Sequence, residues 1–246
     1  MLPRDVTGSG SRLVLLHGFG QTRHCWAPLD ALLAAGHEVM RVDLPGHGDA
    51  RHLVAGLEDG ADLVGETGGR AAYAGYSMGG RHALALAVRH PDLVTALVMV
   101  GATPGLVEEA ERIHRRRRDD ALAAAIEAVG IDRFVTDWLA QPMFAGLSPA
   151  ARFEDERRRN DPAALAESLR RAGPGSQPSL WDRLPELDVP VLLVVGEADE
   201  KYRAIAQRMA AALPRATVEL VAGAGHAAHL EQPHRVAAAV DAFLSS

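Results

Sequence analysis

The chain has 246 residues, of which 48% are apolar, and its formal net charge is −6. This length suits one α/β domain with an insertion, and the apolar content excludes a disordered or fibrous chain. The negative charge argues against a nucleic-acid partner, and the single cysteine, Cys25, excludes a disulfide framework and a cysteine-based metal site. The sequence has neither a signal-peptide pattern nor an apolar run of membrane-spanning length, so we expect a soluble cytoplasmic protein without membrane insertion.

Predicted strands and helices alternate along most of the chain. Short apolar runs that end at glycine or at turn residues predict strands at residues 12–16, 37–42, 71–76, 93–100, 189–195 and 217–221. Helical periodicity and helix-stop residues predict helices at residues 26–35, 53–64, 78–90, 202–213 and 233–244. Near-continuous apolar strands separated by helices are typical of a doubly wound, mostly parallel sheet that is covered on both faces.

The stretch from residue 105 to residue 184 has a different pattern. It contains no strand pattern, and charged amphipathic helices are predicted in it at residues 108–129, 131–139, 149–159 and 162–172. We therefore predict a core domain formed by residues 1–104 and 185–246. Residues 105–184 are predicted to form a helical cap inserted between core strands.

The pentapeptide Gly75-Tyr76-Ser77-Met78-Gly79 lies between a predicted strand and a predicted helix. In this context G-x-S-x-G is the nucleophile elbow, a strained turn that holds the serine hydroxyl above the sheet. The two glycines remove Cβ atoms that would clash, and the backbone N–H of Met78 is free to bind an oxyanion. The alternative is a glycine-rich turn in which Ser77 only caps the helix.

Two further candidate catalytic residues follow the ends of predicted strands. Asp199 follows the strand at 189–195 and His226 follows the strand at 217–221. Together with Ser77 they occur in the chain order Ser, Asp, His that is found in α/β-hydrolases. In such a triad the histidine takes the serine proton and the acid orients the imidazole, so no cofactor and no metal is required. Glu197 and Glu200 are alternatives for the acid.

The glycine loop after the first predicted strand contains His17-Gly18-Phe19. This position can supply a second oxyanion donor, the backbone N–H of Phe19. We interpret His17 as structural, because a histidine in such a loop more often bonds to the backbone than takes part in chemistry. His47 and His229 are interpreted as structural or surface residues.

The elbow and the residues after it, Gly75-Tyr76-Ser77-Met78-Gly79-Gly80-Arg81, resemble those of 2-succinyl-6-hydroxy-2,4-cyclohexadiene-1-carboxylate synthases, the MenH family of menaquinone biosynthesis. Residues 134–144 resemble the F-x-x-x-W-x-x-Q-P-x-F segment of that family. Residues 102–106, 111–123 and 169–181 resemble other parts of its cap, and residues 196–202 resemble its acid loop. The resemblance covers nearly the whole chain from Leu13, and its cap segments are far more specific than its core motifs.

The resemblance implies an elimination rather than a hydrolysis. The family's substrate is a small polycarboxylate, a cyclohexene that carries an enolpyruvyl ether, a succinyl arm and a ring carboxylate. The triad serine is expected to act as a base on a ring proton next to a carbonyl, after which pyruvate leaves. A polycarboxylate needs cations, and Arg81 lies one helical turn after Ser77. The family pattern adds the substrate-binding residues Arg115, Trp138, Arg157 and Tyr76.

Several alternatives remain open from the residues alone. Arg115 lies in the run 115–118, where Arg116 competes with it, and Arg157 lies in the run 157–159. Trp138 could simply pack the interior of the cap. The alternative function is an α/β-hydrolase acting on an ester, thioester or C–C bond of a small carboxylate, and a non-catalytic ligand-binding protein is a third possibility. The arginine tract at 115–118 has no interleaved aromatic residues, which argues against nucleic-acid binding.

Overall fold

The computed structural model describes residues 1–245, and Ser246 lies outside the described residues. The strands are β1 (Arg4–Gly8), β2 (Ser11–Leu16), β3 (His37–Val42), β4 (Ala71–Tyr76), β5 (Val94–Val100), β6 (Val191–Gly196) and β7 (Ala216–Val221). They form one sheet in the order β1-β3-β2-β4-β5-β6-β7. β1 pairs with β3 in the antiparallel sense, and all other pairs are parallel. The expected α/β-hydrolase fold is confirmed.

Helices flank the sheet and also occupy the segment predicted to be the cap. They are α1 (Ala27–Leu33), α2 (Leu57–Gly68), α3 (Met78–Arg89), α4 (Glu109–Leu139), α5 (Glu154–Arg158), α6 (Pro162–Ala172), α7 (Glu200–Ala212), α8 (Ala228–Glu231) and α9 (Pro233–Leu244). α4, α5 and α6 lie between β5 and β6 in the chain. No helix among residues 1–245 is long and apolar enough to cross a membrane.

The two faces of the sheet bury separate apolar layers. In β2, Leu13 and Leu15 pack into one layer, whereas Val14 and Leu16 pack into the other. This alternation follows from the twofold side-chain period of a strand. β4 and β6 are buried along their whole length, which explains their continuous apolar sequences. The layer that contains Leu13 continues into α4 and α6, so these two helices pack onto this face of the sheet.

The strand β1 was not predicted from the sequence. Its residues, Arg-Asp-Val-Thr-Gly, include a single large apolar side chain, Val6, and that side chain is exposed. β1 lies at the edge of the sheet and pairs with β3 from Arg4 opposite Val42 to Gly8 opposite Glu38. An edge strand held by backbone hydrogen bonds does not need the apolar run by which buried strands are recognised.

The cap differs from the prediction in one segment. The helices predicted at 108–129 and 131–139 correspond to the two halves of α4, which is broken at Gly130 with φ 75° and ψ 174°. The single helix predicted at 149–159 is wrong. A 3₁₀ turn at Ala150–Arg152 is separated from α5 by Phe153, whose backbone is left-handed at φ 50°. The division at residues 104/105 and 184/185 stays a prediction.

Four of the buried histidines share a lowered pKa in the folded chain. Loss of hydration lowers the pKa of His17, His47, His82 and His229 from 6.5 to about 3, because burial disfavours the charged imidazolium. Between about pH 6.5 and about pH 3 the unfolded chain therefore binds more protons than the folded chain. These histidines make the free energy of unfolding rise with pH across that range.

Acidification is therefore expected to destabilise the fold. Below about pH 6.5 the free energy of unfolding should fall by up to roughly 1.4 kcal/mol per pH unit for each of these four histidines, as urea unfolding at several pH values would measure. His82→Gln removes one such group and should make the pH dependence shallower. The same substitution at the exposed His52 should leave it unchanged. A free energy of unfolding that does not change between neutral pH and about pH 5 would contradict the expectation.

Candidate active site

Ser77 occupies a strained turn between β4 and α3. Its backbone has φ 49° and ψ −104°, outside the regions that L-residues normally adopt. Its N–H donates to the carbonyl of Val100 at the end of β5, at 2.9 Å. A Cβ at Gly75 would lie 2.3 Å from the carbonyl carbon of Gly79, and one at Gly79 would lie 2.0 Å from the carbonyl oxygen of Leu16. Only glycine fits at both positions, as a nucleophile elbow requires.

The structure brings Ser77, His226 and Asp199 together at the carboxyl edge of the sheet. His226 Nδ1 lies 2.7 Å from Asp199 Oδ2, and His226 Nε2 lies 3.4 Å from Ser77 Oγ. The carboxylate partner indicates the tautomer with the proton on Nδ1, which leaves Nε2 free to accept the serine proton. The distance of 3.4 Å is long for a hydrogen bond, and such contacts commonly shorten when substrate binds.

Both oxygens of Asp199 are used, which separates it from the neighbouring acids. Asp199 Oδ1 accepts from the N–H of Tyr202 and thereby caps α7, while Oδ2 faces His226. Glu197 instead accepts from the N–H of Gly223. Glu200 is exposed at the first position of α7. The geometry therefore favours Asp199 as the partner of the histidine.

The rings of two tyrosines contact the ring of His226. The ring centroid of Tyr76 lies 5.3 Å from that of His226, and the centroid of Tyr202 lies 4.5 Å away on α7. Gly101 leaves room for the imidazole, since a Cβ there would lie 3.1 Å from two ring atoms. Sequence reasoning identified Tyr76 but not Tyr202, although Tyr202 lies only three residues after Asp199. Its position at the start of a helix directly after the acid loop could have indicated that its side chain lies near the triad.

Of the two predicted oxyanion donors, Met78 directly follows Ser77 and Phe19 lies in the loop after β2. Met78 is the first residue of α3, so its N–H has no acceptor inside the helix. Within residues 1–245, neither this N–H nor that of Phe19 donates a hydrogen bond. His17 stabilises the Phe19 loop: its Nδ1 lies 2.8 Å from the carbonyl oxygen of Gly18, and its Nε2 accepts from the N–H of Leu44. His17 is thus structural, as expected.

A small cavity of about 30 Å³ lies above Ser77. Its lining residues come from the core and from the cap, and they are Phe19, Tyr76, Ser77, Trp138, Met143, Phe144, Arg157 and His226. The space is enough for about one water molecule. Sequence reasoning found all of these residues except Met143 and Phe144 as site residues. Phe144 was noted only as part of the cap pattern, and an isolated methionine between predicted helices gives no usable indication.

Arg157 projects from α5 into this cavity as a buried cation. It is 1% exposed, its Nε donates to the carbonyl of Arg152 at 2.7 Å, and its Nη1 donates to the carbonyl of Gly20 at 3.4 Å. Its Nη2 is buried without a hydrogen-bond partner among the described residues, and no carboxylate there pairs with it. Burial lowers the pKa of this guanidinium. Its neighbours Arg158 and Arg159 pair with cap acids instead.

Arg81 and Arg115 are not among the residues that line the cavity. Arg81 is buried, and its Nη1 donates to the carbonyl of Ala172 at 2.7 Å and to Gln177 Oε1 at 3.1 Å. It thus connects the helix after Ser77 with the end of the cap. Desolvation lowers the pKa of Arg81 to about 10. Arg115 is partly exposed and pairs with Asp119 on its own helix at 2.7 Å.

The remaining histidines of interest are buried. His47 Nδ1 lies 3.0 Å from the carbonyl oxygen of Pro45. His229 lies between the rings of Trp26 and Tyr76, with centroid distances of 4.5 Å and 4.3 Å. Both are structural rather than surface residues.

The chain is similar in sequence and in structure to known α/β-hydrolases. Residues 13–239 match the model of the Alpha/beta hydrolase family. A protein of Bacillus subtilis strain 168, provisionally named 2-succinyl-6-hydroxy-2,4-cyclohexadiene-1-carboxylate synthase, is 39% identical over 248 residues, covering 95% of this chain and 90% of that protein. The synthase of the same name from Enterobacter sp. strain 638 is 34% identical over 242 residues, covering 94% and 91%. The structure of MenH from S. aureus has a TM-score of 0.92 at 30% identity and covers 100% of this chain and 98% of that one.

Ser77 should react with organophosphorus fluorides if His226 and Asp199 activate it. In that reaction Ser77 Oγ bonds to phosphorus, fluoride leaves, and the serine proton passes to His226. Asp199→Asn should slow this labelling by roughly 10²- to 10⁴-fold, because the amide no longer selects the reactive tautomer. Mass spectrometry of the intact protein follows the reaction. Glu200→Gln, one residue away and exposed, is the matched control and should label at the wild-type rate. Equal rates for both variants would exclude Asp199 from the triad.

Proposed function

The chain belongs to the 2-succinyl-6-hydroxy-2,4-cyclohexadiene-1-carboxylate synthase family of α/β-hydrolases, and we propose that it eliminates pyruvate from 2-succinyl-5-enolpyruvyl-6-hydroxy-3-cyclohexene-1-carboxylate. It is accordingly a carbon–oxygen lyase of menaquinone biosynthesis on a hydrolase fold, and its substrate is a small molecule. The family resemblance expected from the elbow and cap segments is confirmed.

The observation that carries the proposal is the unpaired guanidinium of Arg157 in the cavity above Ser77. A buried cation without a counter-charge is costly, and an anionic ligand would offset that cost. Carboxylates match the planar fork of arginine. A polycarboxylate that brings one carboxylate to Arg157 would place its ring beside Ser77 and His226. This supports a substrate with carboxylates close to the reacting carbon.

The proposed reaction is a base-catalysed elimination that balances without water or a cofactor. Ser77 Oγ takes the ring proton next to the succinyl carbonyl and passes its own proton to His226 Nε2. The electron pair of the broken C–H bond forms an enolate, whose collapse through the ring double bond breaks the C–O bond to the enolpyruvyl group. His226 returns the proton to the leaving group, which becomes pyruvate, and a cyclohexadiene remains.

The surrounding groups have separate roles in this proposal. Asp199 keeps the proton on His226 Nδ1 and stabilises the imidazolium that forms during proton transfer. The N–H groups of Phe19 and Met78 bind the enolate oxygen, each contributing about 3 kcal/mol to the transition state. Tyr76 and Trp138 cover the apolar parts of the substrate ring.

Arg81 and Arg115 remain proposed substrate ligands in a rearranged cap. Arg81 has only a carbonyl and an amide oxygen as partners, so its charge is also without a carboxylate partner among the described residues. The cavity of about 30 Å³ is too small for the proposed substrate. Binding therefore requires cap segments to move away from Ser77, and such movement would free Arg81 from the carbonyl of Ala172.

Release of pyruvate tests the function directly. The protein is incubated with the enolpyruvyl cyclohexene, and pyruvate is measured by coupling to lactate dehydrogenase. We expect turnover by the wild type and none by Ser77→Ala. Turnover of aryl esters without release of pyruvate would instead support a hydrolase of the same fold.

Arg157→Gln should lower kcat/KM for pyruvate release by about 30- to 1000-fold, which corresponds to roughly 2–4 kcal/mol for a lost buried charge-assisted contact. Arg158→Gln is the matched control, because it removes an arginine from the next position of the same helix. Arg158 is paired with Glu154, so this change should leave kcat/KM within about twofold of wild type. If both substitutions had the same small effect, Arg157 would not bind the substrate.

A further inference from the structure

The loop that carries His226 is held by a carboxylate outside the triad. Glu231 Oε2 accepts from the N–H of Gly225 at 2.8 Å, and Glu231 Oε1 accepts from the N–H of Ala227 at 3.2 Å. These two N–H groups belong to the residues directly before and after His226. One side chain therefore binds the backbone on both sides of the catalytic histidine.

The surrounding chain is shaped to allow this contact. Glu231 ends the short helix α8, and its own N–H donates to the carbonyl of Ala227, which closes the turn back toward His226. A Cβ at Gly225 would lie 3.3 Å from Glu231 Oε1, a close contact for any larger residue. Hydrogen bonds from N–H groups to an ionised carboxylate are stronger than those between neutral groups. The loop thus has a strong local anchor.

The same carboxylate lies against the cap. A Cβ at Gly146 would lie 2.1 Å from Glu231 Oε2, so the cap backbone passes directly over the carboxylate. Gly146 follows the 3₁₀ helix Pro142–Phe144, which carries the cavity residues Met143 and Phe144. Glu231 therefore contacts both the loop that carries His226 and the cap segment that lines the cavity.

We propose that Glu231 is a positioning residue that holds His226 in line between Asp199 and Ser77. His226 reaches Asp199 at 2.7 Å and Ser77 at 3.4 Å, and both distances depend on the path of the loop. The assignment rests on the proposed function only through the triad, and not through the identity of the substrate.

Glu231→Gln tests the assignment. The amide keeps one acceptor oxygen, but its NH₂ group faces one of the two backbone N–H donors, so one side of the loop loses its hydrogen bond. The readout is the rate at which Ser77 is labelled by diisopropyl fluorophosphate, which needs no cyclohexene substrate. A failure of the lyase proposal would therefore leave this test intact.

The matched control is Glu197→Gln. Glu197 Oε2 also accepts from a backbone N–H of this loop, that of Gly223 at 3.2 Å, but Gly223 does not adjoin His226. Glu231→Gln should label about 10- to 100-fold more slowly than wild type, because a small misplacement of the base is costly. Glu197→Gln should stay within about twofold.

Glu231→Asp separates positioning from folding. It keeps the charge and both acceptor oxygens but is shorter by one methylene, so its labelling rate should lie between those of wild type and Glu231→Gln. It also serves in place of Glu231→Gln if circular dichroism finds that variant unfolded. Folded Glu231 variants that label at the wild-type rate, whether or not their thermal midpoint falls, would overturn the proposal.

Discussion

The backbone of Ser77 is the constraint on which the rest of the site depends. A non-glycine residue at φ 49° and ψ −104° is strained by about 1–3 kcal/mol and persists only where its surroundings hold it. Here β4 enters the turn fully buried, β5 receives the N–H of Ser77 at Val100, and α3 leaves the turn packed against β2 at Gly79. The sheet therefore positions the hydroxyl, and the loops that follow β6 and β7 bring Asp199 and His226 to it.

Within residues 1–245 the arginine in the site lacks an acidic partner, whereas most arginines in the remainder of the cap have one. Most cap arginines pair with acids on their own or a neighbouring helix, as Arg170 does with Glu127 and Arg158 with Glu154. Such exposed pairs contribute little to stability. Arg157 is buried and has no such partner among the described residues. Its burial lowers stability in the free protein, and a negatively charged ligand would recover that loss.

The sequence predicted those parts of the fold that depend on burial. The strands β2, β4, β5 and β6 and the triad order were readable because buried strands are continuous apolar runs and the candidate catalytic residues follow strand ends. β1 was missed because it is held by backbone hydrogen bonds at the edge of the sheet. Arg157 could not be separated from Arg158 and Arg159, because the left-handed Phe153 sets which of them α5 turns inward. Glu231 contacts the backbone on both sides of His226, and a linear pattern does not describe such a contact between loop and side chain.

The cap affects whether water can reach Ser77, and water decides between hydrolysis and elimination. Ester hydrolysis needs a water molecule to release the acyl group from the serine, whereas the proposed elimination needs none. The proposed substrate enters only when cap segments move, and the aromatic residues of cap and core that line the cavity above Ser77 would then lie against it and displace water. In such a site a serine paired with His226 can exchange a proton with the substrate while hydrolysis lacks its second reactant. Under the proposed function the same triad then serves as a base, and the cap would determine the chemistry by excluding water.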